Sequence, residues 1–113
     1  KNVTIWGTGK PKREFLFVDD LADALVFLMK KYNKNEHINI GSGEEVSILN
    51  LAETIAEVIG FRGKFVFDKS KPDGTPRKFI NSKQINSLGW KSKTNLLDGI
   101  KLTYESYLKN KSK

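Results

Sequence analysis

A chain of 113 residues with 38% hydrophobic content has apolar side chains for one modest core, and its length suits one small domain or part of a larger one. It has no cysteine, which excludes a disulfide framework and a thiolate metal site, and no apolar run approaches the length of a membrane span. A formal net charge of +7 suits an anionic partner such as nucleic acid, a phosphate-bearing ligand or an acidic surface, but most of these lysines fit a solvated face. No leader pattern opens the chain, because Lys1 runs straight into a strand-like segment, so a soluble, cytoplasmic protein is expected.

Val3–Trp6 reads as a short strand, Gly7–Pro11 as turn chemistry, and Glu14–Val18 as a second extended segment. The two strands are expected to pair as a hairpin around the glycine-rich turn. Asp19 and Asp20 offer a carboxylate N-cap to a helix that carries Leu21, Ala24, Leu25 and Leu28 and runs to Lys31 or Tyr32. His37–Ile40 reads as a strand, and Gly41-Ser42-Gly43 turns the chain. Ser47 caps the next helix, whose apolar face is Ile48, Leu51, Ile55 and Ile59, and Gly60 stops it. Lys64–Phe67 is a further strand, followed by a polar loop over residues 68–78. Asn81 or Ser82 caps a short helix holding Ile85 and Leu88, ended by Gly89. Thr94 or Asn95 opens a last helix with Leu97, Ile100, Tyr104, Tyr107 and Leu108 on one side, and Lys109–Lys113 reads as a frayed, solvated end. Strands alternate with helices, which implies a mixed α/β or α+β architecture with no internal domain boundary.

No G-x-G-x-x-G motif opens a βαβ unit and no Walker lysine motif is present. Gly41-Ser42-Gly43 lacks the third glycine and reads as a turn. The single histidine, His37, has no cysteine or carboxylate motif at ligand spacing, so a structural role is expected. Chemistry alone points to no catalytic engine. Two segments stand out, Trp6–Phe15 and Lys71–Lys78, each joining rigid turn residues to cations. Guanidinium and ammonium groups on a pre-shaped loop suit a diphosphate, since little entropy is lost on binding. An indole packs on a sugar or base face, and an aspartate accepts hydrogen bonds from hydroxyls or a base edge. The blander alternatives are that Trp6 fills the core beside Phe15, that Arg13 pairs with Glu14, Asp19 or Asp20, and that Asp73-Gly74 is only a tight turn.

The string from Trp6-Gly7-Thr8-Gly9 through Pro11, Arg13-Glu14-Phe15-Leu16 and Val18-Asp19-Asp20-Leu21-Ala22 resembles extended short-chain dehydrogenase/reductases that act on nucleotide sugars. Lys71-Pro72-Asp73-Gly74-Thr75-Pro76-Arg77-Lys78, followed by Leu88-Gly89-Trp90, narrows the resemblance to the GDP-L-fucose synthase family. It extends over essentially the whole chain. This resemblance implies that the chain is the C-terminal substrate-binding part of such an enzyme, with the Rossmann half absent. It implies a parent that converts GDP-4-keto-6-deoxy-D-mannose to GDP-L-fucose by two epimerisations and an NADPH-dependent reduction. Trp6, Arg13, Asp73 and Lys78 match substrate-contact positions, with Arg13 and Lys78 near the phosphates. The family's serine, tyrosine and lysine set, its epimerising cysteine and histidine and its NADP(H) fingerprint lie upstream of Trp6, so no catalytic or cofactor-binding residue is expected here and the chain alone should be inactive. The parent is expected to be a cytoplasmic homodimer with a GDP-sugar substrate, without nucleic acid or membrane partners. Phe17 stands where many relatives have histidine, and Asn81 where many have aspartate.

Three alternatives stay open. The first is another nucleotide-sugar epimerase or dehydratase of the superfamily. The second is a non-catalytic module for anions or nucleic acid, which the charge permits but which lacks a basic stripe interleaved with aromatics. The third is a purely structural piece whose helix faces, near Leu21 and Ile48, need covering.

Overall fold

A computed structural model describes residues 1–111. The mixed α/β architecture implied by the alternating pattern is present, built on two small separate sheets. Strand β1 (Asn2–Trp6) runs parallel to β4 (Lys64–Asp68), with Ile5 opposite Phe67 and Trp6 opposite Asp68. The Gly7 N–H donates to the Asp68 carbonyl at 2.9 Å and carries the ladder one step past the strand end. Strand β2 (Lys12–Glu14) is antiparallel to β3 (Glu45–Ser47), with Arg13 opposite Val46. The expected hairpin is therefore absent. β1 instead pairs with the apolar strand that carries Phe65 and Phe67, a contact between segments about sixty residues apart.

Among the described residues there are four helices: α1 (Val18–Lys31), α2 (Ile48–Ile59), α3 (Lys83–Ser87) and α4 (Leu96–Lys111). The caps of α2 are those its sequence implies. Ser47 Oγ accepts from the Asn50 N–H at 3.0 Å, and Gly60 closes the helix at φ +74°, a conformation glycine adopts without a Cβ penalty. Asn95 Oδ1 likewise accepts from the Asp98 N–H at 2.8 Å to open α4, which includes Lys109–Lys111; the last two residues of the expected frayed end lie outside the described residues.

α1 starts differently from expectation. Phe17 occupies the N-cap with no side-chain bond, and Asp20 turns instead across the fold. Its carboxylate accepts from the backbone N–H groups of Lys93 and Thr94, at 3.1 and 2.9 Å, and is buried. One turn on, Asp23 accepts from the Trp90 indole at 2.9 Å. These two carboxylates dock α1 on the segment before α4. Between them lies the core: Ala24, Ile85 and Trp90, flanked by Leu16, Phe27, Leu28, Ile38 and Ile40. His37–Ile40 joins no ladder among the described residues. A strand is held by a neighbour's hydrogen bonds, and only the packing of Ile38 and Ile40 on the core survives of that expectation.

The rest of the apolar surface is poorly covered. α2 buries none of its residues despite its apolar face, and Val18, Leu25 and Met29 of α1 are exposed. The accessible surface is 8504 Å², against roughly 6,300 Å² for a compact monomer of this mass. The radius of gyration is 16.8 Å, against about 13 Å from chain length. Among the described residues no helix is long and apolar enough to cross a membrane.

Asp20→Ala is expected to destabilise the fold by about 2–4 kcal/mol, because it strands two backbone donors. Asp19→Ala, at an exposed position, should stay within about 0.5 kcal/mol. Urea unfolding of the two variants checks the contrast.

Candidate functional site

Parallel pairing sends β1 and β4 out at the same end, and the two loops that follow them meet there. These are the two cation-bearing turns singled out by composition. Their junction is the Asp73 carboxylate. Asp73 Oδ1 accepts from the Thr8 backbone N–H at 2.7 Å, and Oδ2 accepts from the Thr8 hydroxyl at 2.8 Å. Those two bonds, first the backbone one and then the hydroxyl, with the Lys10 charge adding to them, hold the Asp73 carboxyl below the usual aspartate range. Gly7 makes the approach feasible. It sits at φ +81°, and a Cβ there would fall 2.1 Å from Asp73 Oδ1.

Trp6 is 69% exposed, so it does not fill the core beside Phe15. The Lys71 ammonium lies 5.2 Å from the centre of its ring, an arrangement that favours the cation over the indole face. Arg13 lies on the other side of the Asp73-Gly74 turn, with its Nη2 beside Gly74: a Cβ built there would be 3.8 Å away. Arg13 Nη1 donates to the Lys12 carbonyl at 2.7 Å, and among the described residues no carboxylate pairs with it. Glu14, offered as one partner, is used elsewhere. Its Oε2 accepts from the Gly43 N–H at 2.6 Å and its Oε1 from the Ile80 N–H at 3.1 Å. The structure thus brings Trp6, Arg13 and Asp73 to one end of the β1–β4 pair. Lys78 follows the same loop, its backbone N–H donating to the Lys12 carbonyl at 3.4 Å, and it is exposed.

The loop is fixed at its far end by groups with no assigned role in the sequence reading. Arg77 lies beside Lys12 in an isolated parallel bridge. Its guanidinium donates to both Glu45 oxygens, with Nε to Oε2 at 2.7 Å, and its plane lies 5.0 Å from the Phe79 ring. The hydrogen bond from Arg77 is the main reason the Glu45 carboxyl is held below the usual range, with the charges of Arg77 and Lys12 adding to it, while Glu45 raises Arg77 in turn. No sequence signal links residues 32 apart. Thr8 was also missed, and its only trace is a hydroxyl between two glycines.

Gly41-Ser42-Gly43, bent at Gly43, packs on Glu14: a Cβ at Gly41 would lie 2.7 Å from Glu14 Oε2. The first N–H groups of α2 are spent on the Pro11 and Gly9 carbonyls and on Ser47. The Gly43 N–H is spent on Glu14 and the first three N–H groups of α2 on these partners, so those amides are not open to a pyrophosphate. His37 is exposed, and no cluster of metal-binding side chains occurs among the described residues. A groove of about 610 Å³ lies away from the site between α2, α4 and residues 15–18, and its lining is mainly apolar. A second groove of about 480 Å³ adjoins Thr8 and is bordered by Lys10 and Lys69.

Since Glu45 has a lowered folded-state value, its stabilisation is present above the ordinary glutamate range and is lost as pH falls through that lowered value. Glu45→Gln should therefore narrow the gap between urea midpoints measured at pH 7 and at pH about 3. An unchanged gap would show that the Arg77–Glu45 pair does not hold the loop.

Residues 1–41 match the NAD dependent epimerase/dehydratase family. The chain is 58% identical to GDP-L-fucose synthase 1 of Arabidopsis thaliana, over 97% of this chain and 34% of that protein. The fold superposes on a GDP-L-fucose synthetase from Naegleria fowleri bound to NADP with a TM-score of 0.89, at 31% identity, covering 98% of this chain and 36% of that one. It also superposes on a GDP-6-OMe-4-keto-L-xylo-heptose reductase from C. jejuni with a TM-score of 0.89, at 43% identity, covering 97% and 34%. The chain spans about a third of the length of the curated relatives it matches. Over that third, it is a close relative of the GDP-L-fucose synthases.

Proposed function

We propose that this chain is the nucleotide-sugar-binding part of an NADP-dependent epimerase/reductase that converts GDP-4-keto-6-deoxy-D-mannose to GDP-L-fucose. The observation that carries the proposal is the meeting of an exposed indole, a guanidinium with no carboxylate partner among the described residues, and a lysine-bearing loop at the carboxyl ends of two parallel strands. Open α/β sheets place ligands at that end. In this reading Arg13 and Lys78 hold the diphosphate, Trp6 packs on a ring of the ligand, and Asp73 lies at the contact surface.

The reaction removes protons next to a ketone, which needs a base and a stabilised enolate, and then reduces that ketone. No described residue is assigned to those steps, and the NADP(H) site belongs to residues beyond this chain. What this part contributes is orientation. Anchoring the diphosphate and base far from the reacting carbons turns binding free energy into alignment of the sugar. Assembly of the full-length protein as a cytoplasmic homodimer belongs to the same proposal.

A second reading is supported by the 43% identity to the C. jejuni heptose reductase. It keeps the GDP-binding role and changes the sugar. Comparing turnover of a GDP-4-keto-6-deoxyhexose with that of a GDP-4-ketoheptose by the full-length enzyme separates the two.

Arg13→Ala in the full-length enzyme should raise KM for the GDP-sugar roughly 10- to 100-fold, the scale of one charge-assisted contact, with a smaller fall in kcat. Unchanged kinetics would remove Arg13 from the site.

A further inference from the structure

Resting on the reading above, we infer that Thr8 is a positioning residue of the nucleotide-sugar site, which acts by clasping the Asp73 carboxylate and so fixing the loop that follows β4. Both Asp73 oxygens already have donors from the one residue, a backbone N–H at 2.7 Å and a hydroxyl at 2.8 Å. The partners are separated by 65 positions in the chain, so the clasp joins two loops that share no covalent constraint nearby. On one side of it Trp6 and Lys71, one from each loop, stand face to ammonium at 5.2 Å. On the other side Arg13 approaches Gly74. Opening the clasp would let the 68–78 loop move relative to β1, and the separation between the indole and the guanidinium would no longer be set.

The close fit at Gly7 against the same carboxylate is a further sign that this geometry is built in. Its left-handed backbone and the 2.1 Å approach of a hypothetical Cβ leave no room for a side chain while Asp73 is in place. The Thr8 hydroxyl also accepts from the Lys10 N–H at 3.2 Å, so it is held as both donor and acceptor and orders the turn itself. Valine has nearly the shape of threonine but can do neither.

The test is a double-mutant cycle in the full-length enzyme, read as KM and kcat for the GDP-sugar. Thr8→Val and Asp73→Ala should each raise KM about tenfold with kcat within about threefold, and the double variant should be no worse than Asp73→Ala alone. Thr8→Ser, which keeps the hydroxyl, should restore KM. Additive effects, or an unchanged KM in Thr8→Val beside a raised one in Asp73→Ala, would overturn the inference. Amide hydrogen exchange at Thr8 in the wild-type protein supplies the readout that does not depend on catalysis. Slow exchange that becomes fast in Asp73→Ala supports the clasp, and fast exchange in the wild type rejects it. If the wild-type enzyme fails to turn over the GDP-sugar, the functional reading falls while the exchange data still decide the clasp.

Discussion

The parallel pairing of β1 with β4 is the constraint on which the site depends. A parallel pair cannot be closed by a tight turn, so the chain must leave β1, cross the molecule and return before β4 can lie beside it. That detour contains β2, α1, β3 and α2. Because the strands run the same way, the loops after Trp6 and after Asp68 emerge together. An antiparallel hairpin of the same residues would have put the Lys71–Lys78 loop at the opposite end from Trp6. Topology, more than any single contact, brings the indole, the guanidinium and the lysine-bearing loop to one place.

The two loops are fixed by polar contacts, and α1 by Asp20 and Asp23 beside a small apolar core; the polar and apolar contacts are unequally satisfied. At the site, carboxylates have assigned partners: Asp73 on Thr8, Glu14 on Gly43 and Ile80, Glu45 on Arg77. Each joins segments distant in sequence, and together they shape a loop that ends in positive charge. The helices have a small shared core around Ala24, Ile85 and Trp90, while α2 buries no residue and the groove beside α4 stays open. A loop shaped by polar contacts on an incompletely covered scaffold accords with a chain that spans about a third of the length of its curated relatives.

What was legible in the sequence follows the range of the interaction concerned. Ser47 and Gly60 act within a few residues of themselves, and their caps follow from the sequence, while of the two residues offered for α4, Thr94 and Asn95, it is Asn95 that accepts from the helix. The partners of β1 and β2 were not legible, because a five-residue apolar strand accepts any suitable edge and Lys12–Glu14 has no apolar alternation to mark it. Asp20 looked like a cap because carboxylates favour helix starts. Its reach to Lys93 and Thr94 depends on where α4 lies. The same holds for the site. Residue types announced Trp6, Arg13, Asp73 and Lys78 as unusual, but the use of both Asp73 oxygens on Thr8 appears only once the loops are docked.

The most direct test of the account is a titration of the full-length protein with GDP, followed by backbone amide NMR with UDP as control. Selective shifts clustered at residues 6–13 and 71–78 are predicted, with UDP giving weaker ones. Shifts confined to the groove between α2 and α4, or equal responses to the two nucleotides, would contradict the assignment of a GDP-sugar site to the ends of β1 and β4.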